Sequence, residues 1–142
     1  MKFDRSKFTK KFVSEAREHV EFLSKAVIRL EANPGDLSSM SEIKRAAHTL
    51  KGSAKMLKYK SISHVAHKLE DIFAAIMEGK IQVGEGCADT LLLLVDYIRE
   101  AVESVGAGGE EPEVTGLLDR AAEGALAGKF AAEQGPHGTE DD

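Results

Sequence analysis

RAAHTLKGSAKML, residues 45–57, decides how the chain is read. At about 100° per residue, with His48 set at zero, Leu50, Ala54 and Leu57 fall between about 180° and 240° on a helical wheel, and Ile43 upstream joins them. The stretch is therefore an amphipathic helix whose apolar stripe lies opposite its histidine. His48 faces outward. Its neighbours on the outer face, three and four residues away, are Lys44 and Arg45 upstream and Lys51 and Gly52 downstream, with Lys55 one turn further.

The same periodicity extends along the chain. Apolar residues recur at three- and four-residue spacing, and the alternation expected of strands is missing. The first helix runs from about Asp4 to Glu31, with Phe8, Phe12, Ala16, Val20, Leu23, Val27 and Leu30 on one face. Asn33-Pro34-Gly35 ends it, because proline removes a backbone donor and glycine suits a C-terminal cap. The second begins near Ser39 or Ser41, where serines with Glu42 three residues on offer a cap, and ends near Lys58. The third runs from Ser61 or Ser63 to about Glu78, closed by Gly79. The fourth lies between Gly86 and Val105 and carries LLLLVDYIREAV, apolar enough to sit centrally in a bundle. A fifth is expected from about Pro112 to Ala132, weakened by Gly116, Gly124 and Gly128. Short connections between long amphipathic helices imply antiparallel neighbours. The expected fold is all-α: an up-and-down antiparallel four-helix bundle over about 4–105, with an additional C-terminal fifth helix at about 112–132. One domain, 1–133, is followed by a flexible tail or start of a linker at 134–142.

Composition narrows the function. The chain has 142 residues, 42% hydrophobic and 30% charged, as expected of one globular domain. Its formal net charge of -5 argues against a nucleic-acid binder, which needs clustered cations to neutralise phosphates. The single cysteine, Cys87, forms no intrachain disulfide and no CxxC metal motif. The N-terminus lacks the apolar stretch of a signal peptide, and the longest apolar run, Leu91 to Val95, is too short to span a bilayer. A cytoplasmic protein without direct membrane insertion is expected.

His48 has two readings on the wheel. Exposed helical histidines among lysines are commonly a plain solvated face. Alternatively, the flanking cations stabilise an anion placed on the ring. Gly52 supports the second reading, since a helical glycine costs about 1 kcal/mol relative to alanine and lets another surface approach closely. A neutral, exposed imidazole beside an anion site suits the carriage of a phosphoryl group. The third helix adds a partner. Ile62, Val65, Leu69, Ile72, Phe73 and Ile76 form its core stripe, while Ser63, His67 and Glu70 share one flank. In an antiparallel hairpin turning near Tyr59-Lys60, His48 and Glu70 come to similar height. Glu70 can then accept a hydrogen bond from His48 Nδ1–H, fixing the tautomer and leaving Nε2 as nucleophile. An ordinary solvated glutamate is the alternative. His64 and His67 form an HxxH pair, but no third or fourth ligand joins them, so no metal site is expected. His19 and His137 have no constellation around them.

HTLKGSAKML followed by HKLEDIF resembles the histidine-containing phosphotransfer (HPt) domain, whose pattern is HxLKG and then a second helix with LE. The first helix, FVSEAREHVEFLSKAVIRLE, resembles the opening helix of CheA-type chemotaxis histidine kinases, and the resemblance covers about residues 5–105. It implies that His48 is the phosphorylated histidine, Lys51 balances the phosphoryl charge, Gly52 leaves room for the partner, and His67 and Glu70 hydrogen-bond around the imidazole. Lys44, Arg45 and Lys55 would join Gly52 in partner docking. Lys55, Met56 and Lys58 depart from the small, glycine-containing stretch often found there. The implied cofactors, ATP and Mg2+, belong to partner domains and none to this one. No P-loop or kinase-type Gly-rich loop occurs in the chain. The implied partners are the ATP-binding domain of a CheA-type kinase and the receiver domains of response regulators in a two-component system. The isolated domain is expected to be a monomer. Two rivals are a freestanding phosphorelay protein shuttling phosphate between receivers, and a helical interaction module that has lost the phosphate.

Overall fold

The computed structural model describes residues 5–114 and 116–121. Four helices form an antiparallel bundle: α1 (Arg5–Ala32), α2 (Met40–Met56), α3 (Lys60–Met77) and α4 (Glu85–Gly106). Around the bundle, α2 packs on α1 and α3, and α4 packs on α3 and α1. The apolar stripes read from the sequence meet inside. Leu23, Leu50, Ile62, Leu69, Phe73, Leu91, Leu94 and Ile98 are among the largest fully buried side chains. Burying one such side chain contributes about 1.5–3 kcal/mol.

Two expected core features differ. Phe8 is 47% exposed, although its neighbours Arg5, Thr9 and Phe12 on the same helix all contact Tyr59. Tyr59 packs its ring 5.5 Å from that of Phe12 and shares a 2.9 Å hydroxyl hydrogen bond with Thr9. In α4, Leu92 and Leu93 are only partly buried. A four-helix bundle has no central helix, so even this continuous run turns one flank outward.

The helix ends show what sets the boundaries. Three helices close the same way. The amide of Tyr59 donates to the Ala54 carbonyl (2.8 Å), that of Lys80 to Ala75 (2.9 Å), and that of Gly109 to Ser104 (2.8 Å). Each motif needs a left-handed residue just past the helix. Gly79 (φ 76°) and Gly108 (φ 88°) supply it at α3 and α4, but Lys58 (φ 67°) supplies it at α2. At the start of α2, Ser39 makes no side-chain capping bond. Its backbone (φ -102°, ψ 10°) lies outside the extended region in which a serine hydroxyl reaches the third helical amide. Tyr59 precedes α3 and offers no side-chain cap either. The Glu111 carboxylate takes that place, accepting from the Ile62 amide at 2.6 Å.

Glu111 belongs to a strap that leaves α4 and crosses back to α3. The Ser104 hydroxyl donates to the Glu110 carbonyl and the Tyr97 hydroxyl to the Pro112 carbonyl, both at 2.6 Å. Residues 112–114 are not helical, and helix resumes at 117–121, with Leu117 and Ala121 buried against the bundle. The remainder of the expected fifth helix and the tail lie outside the described residues. Across the bundle, α1 and α4 approach closely. A Cβ on Gly106 would sit 3.3 Å from both methyls of Val13. Arg17 binds Glu103 through two 2.7 Å hydrogen bonds, and Arg99 reaches Glu21 (2.6 Å) and Ser24 (2.7 Å).

Candidate functional site

The α2–α3 hairpin carries the site. Burial of Ile43, Ala47, Leu50 and Ala54 fixes the rotation of α2 and turns His48 to solvent, its side chain 62% exposed. Burial of Ile62, Val65, Leu69 and Phe73 fixes α3 and brings Glu70 to the seam between the helices, its side chain 15% exposed. Glu70 takes two charge-assisted contacts there. Oε2 lies 2.7 Å from His48 Nδ1, and Oε1 accepts from Lys51 Nζ at 2.7 Å. Below this network the Ser63 hydroxyl donates to the Lys51 carbonyl at 3.1 Å, pinning the two helices at the level of the lysine.

Partial burial alone would raise the Glu70 carboxyl, but the hydrogen bonds from Lys51 and His48 outweigh it and hold Glu70 below the ordinary glutamate range. It is therefore an anion at neutral pH. An anionic acceptor at Nδ1 places the ring proton on Nδ1, which leaves the lone pair on Nε2 free on the exposed edge. The arrangement is an oriented, solvent-facing nucleophile, with a carboxylate behind it to offset positive charge on the ring.

The structure brings together His48, Glu70 and Lys51, but not His67. The His67 Nε2 lies 3.5 Å from Asp71 Oδ1, one turn along its own helix, and makes no hydrogen bond to His48. Lys51 is committed to Glu70 and is only 26% exposed, so its first role is to hold the carboxylate. Lys44, Arg45, Ser41 and Met77 surround His48 and Glu70 on one side. On the other, Lys51, Gly52, Lys55, Lys58, Lys60, Ser63, His64 and His67 line an open groove. A Cβ on Gly52 would meet nothing within 4 Å. Among the described residues, no three His, Cys, Asp or Glu side chains converge as metal ligands. Cys87 is buried in the core, and burial pushes its thiol up to about 11.

Residues 7–106 match the sequence profile of the Hpt domain. The chain belongs to this family. This Hpt domain is 33% identical over 120 residues to the chemotaxis protein CheA of Bacillus subtilis, an alignment covering 82% of this chain and 18% of that protein. It is 37% identical over 112 residues to CheA of Treponema pallidum, covering 78% of this chain and 14% of that one. The chain thus spans less than a fifth of the length of these relatives. The solution structure of the histidine phosphotransfer domain of CheA superposes with a TM-score of 0.74 at 27% identity, covering 82% of this chain and 90% of that one. The phosphorylated P1 domain of CheA3, solved in complex with CheY6 from R. sphaeroides, superposes with a TM-score of 0.76 at 19% identity over 87% of this chain and 98% of that one, a likeness of fold. The bundle is thus that of an Hpt domain, homologous to CheA phosphotransfer domains. No helix among the described residues is long and apolar enough to cross a membrane.

Proposed function

We propose that this Hpt domain is the phosphoryl carrier of a CheA-type histidine kinase. The observation that carries the reading is the 2.7 Å contact of exposed His48 Nδ1 with the half-buried Glu70 carboxylate. A separate kinase domain binds ATP and Mg2+ and presents the γ-phosphoryl group. The Nε2 lone pair of His48 forms an N–P bond as the bond from phosphorus to the β,γ-bridging oxygen breaks and ADP departs. The ring keeps its Nδ1 proton and becomes positively charged, and Glu70 offsets that charge. The group then passes to an aspartate carboxylate of a receiver domain: a P–O bond forms, the N–P bond breaks, and the imidazole returns neutral.

The domain supplies orientation and exposure, not the nucleotide site. Lys51 sits one turn from His48 and can leave Glu70 for a phosphoryl oxygen, or hold Glu70 while Arg45 and Lys44 meet the incoming charge. Gly52, with no side chain, lets a partner's active site close over the ring. The homology to CheA favours this reading over a freestanding phosphorelay protein.

Incubation with ATP, Mg2+ and an active CheA-type kinase core tests it, beside the His48→Gln variant. Acid-labile, base-stable phosphate on the wild type and none on the variant is the expected result. Label on both would assign the phosphate to another residue, and label on neither would sink the carrier reading.

A further inference from the structure

A run of polar contacts crosses the bundle from the strap after α4 to the nucleophile. The Glu111 carboxylate accepts from the Ile62 amide at 2.6 Å. The next residue on α3, Ser63, donates its hydroxyl to the Lys51 carbonyl at 3.1 Å. Lys51 Nζ donates to Glu70 Oε1, and Glu70 Oε2 holds His48 Nδ1, both at 2.7 Å. The last two links belong to the site. The first two bind backbone groups away from the ring, and the transfer chemistry does not use them.

Both outer links are unusual for the residues that make them. Ile62 is fully buried in the first turn of α3, where a helix leaves its amides without partners of its own. Tyr59 supplies no side-chain cap. The carboxylate that takes its place comes 49 positions later in the chain, on a strap fixed on either side of Glu111. Before it, the Gly109 amide and the Glu110 carbonyl are both tied to Ser104. After it, the Pro112 carbonyl accepts from the Tyr97 hydroxyl at 2.6 Å. Ser63 is as particular. A serine inside a helix commonly turns its hydroxyl back to a carbonyl of the preceding turn. Ser63 sends it across the seam to the neighbouring helix instead.

Apolar burial is non-directional, so it fixes how α2 and α3 are rotated more firmly than how far one slides along the other. Hydrogen bonds are short and directional, and they set the height. A slide of about 1 Å, less than the rise of about 1.5 Å per residue, carries the 2.7 Å contact of Glu70 with His48 toward the limit of a hydrogen bond. We infer that Glu111 and Ser63 are positioning residues for His48: the strap carboxylate sets where α3 starts, Ser63 locks α3 to α2 at that height, and together they hold Glu70 level with the imidazole. The inference rests on the carrier reading and adds that the chain beyond α4 bears on the nucleophile. Lifting the strap from α3 lowers the reactivity of His48 without any contact to the ring.

The test uses the whole chain and phosphoramidate, a small donor that needs no docking partner. Two readouts are taken per folded protein: the rate of His48 phosphorylation and the ring nitrogen shifts that report its tautomer. Glu111→Ala and Ser63→Ala are each expected to slow phosphorylation by about threefold to tenfold and to mix the tautomers. Glu111→Gln keeps an acceptor and Ser63→Thr keeps the hydroxyl, so both should stay within about twofold of wild type. Because the links act in series, Glu111→Ala/Ser63→Ala should be no slower than the slower single variant. Ile98→Ala, on the far helix, is the control for lost stability and should match wild type in both readouts. Losses in Ile98→Ala equal to those in the two alanine variants would make the effect one of global stability and overturn the inference. So would single variants with the rate and tautomer of wild type, or a double variant whose loss is the product of the two. A wild type that takes no phosphate sinks the carrier reading instead, and the tautomer then still decides whether Glu111 and Ser63 position the ring.

Discussion

At Glu70 one carboxylate does two jobs, and both can be separated by substitution. Its charge-assisted bond to the ring is worth about 1.5–3 kcal/mol, which corresponds to about 10- to 150-fold in rate if realised wholly in the transition state. Glu70→Gln keeps an acceptor and removes the charge. Phosphorylation of His48 by a kinase core is expected to slow by about tenfold or more, with the nitrogen shifts of His48 reporting a mixed tautomer; an unchanged rate and a pure Nδ1–H tautomer would relieve Glu70 of its role. Because the folded carboxyl lies below its ordinary value, its contribution to stability is fully present above the unfolded value and is lost as pH falls through the folded one. Urea midpoints of wild type and Glu70→Gln should therefore differ by a constant amount near neutrality and converge in the acid range. Gly52→Ala makes the opposite kind of prediction. With nothing near its Cβ, the alanine should stabilise the fold by about 1 kcal/mol and yet slow transfer to a receiver. Much of this scale was legible beforehand. The wheel turned His48 outward, and equal distance from the turn brought Glu70 to it. The commitment of Lys51 and the drift of His67 to Asp71 were not legible, because a long or singly anchored side chain chooses among neighbours that only coordinates reveal.

Elements were legible where their cause is local. The four apolar stripes, Gly79 as the stop of α3 and the break after α4 all follow from spacing and glycine placement. The first turn of α3 does not, since its cap comes from Glu111, 49 residues further on. No pattern near Tyr59 announces a carboxylate arriving from a strap beyond α4. The serines before α2 mislead in the complementary way, offering hydroxyls on a backbone that cannot aim them. Glu111→Ala should cost about 0.5–2 kcal/mol, as other lost N-caps do. Hydrogen exchange would localise the effect: the Ile62 amide is expected to lose protection more than the amides in the middle of α3. Equal loss along the helix would mean that Glu111 acts through global stability and not as a cap.

For the whole molecule, the bundle divides its labour between two hairpins of contact. The α1–α4 side is tied by Arg17–Glu103 and Arg99–Glu21 and by the close approach at Gly106. The α2–α3 side holds His48, Glu70, Lys51 and Ser63. Stability draws on both, but the site draws on one. Two buried aliphatics test this: Leu69 on α3, adjacent to Glu70, and Ile98 on α4, both 0% exposed. Truncating either to alanine removes comparable apolar volume and leaves a cavity, at a cost of about 2–5 kcal/mol. Since domains of this size are stable by about 5–15 kcal/mol, each variant should remain mostly folded in the cold and show a lower urea midpoint. Their effects on the site should part. Ile98→Ala is expected to leave the Nδ1–H signature of His48 and its phosphorylation by small donors unchanged once folded protein is counted. Leu69→Ala should loosen the seat of Glu70, broaden the His48 resonances and slow phosphorylation. Matching losses in both variants would mean that the bundle tunes its site as one body, and the assignment of the chemistry to the α2–α3 hairpin would then have to be given up.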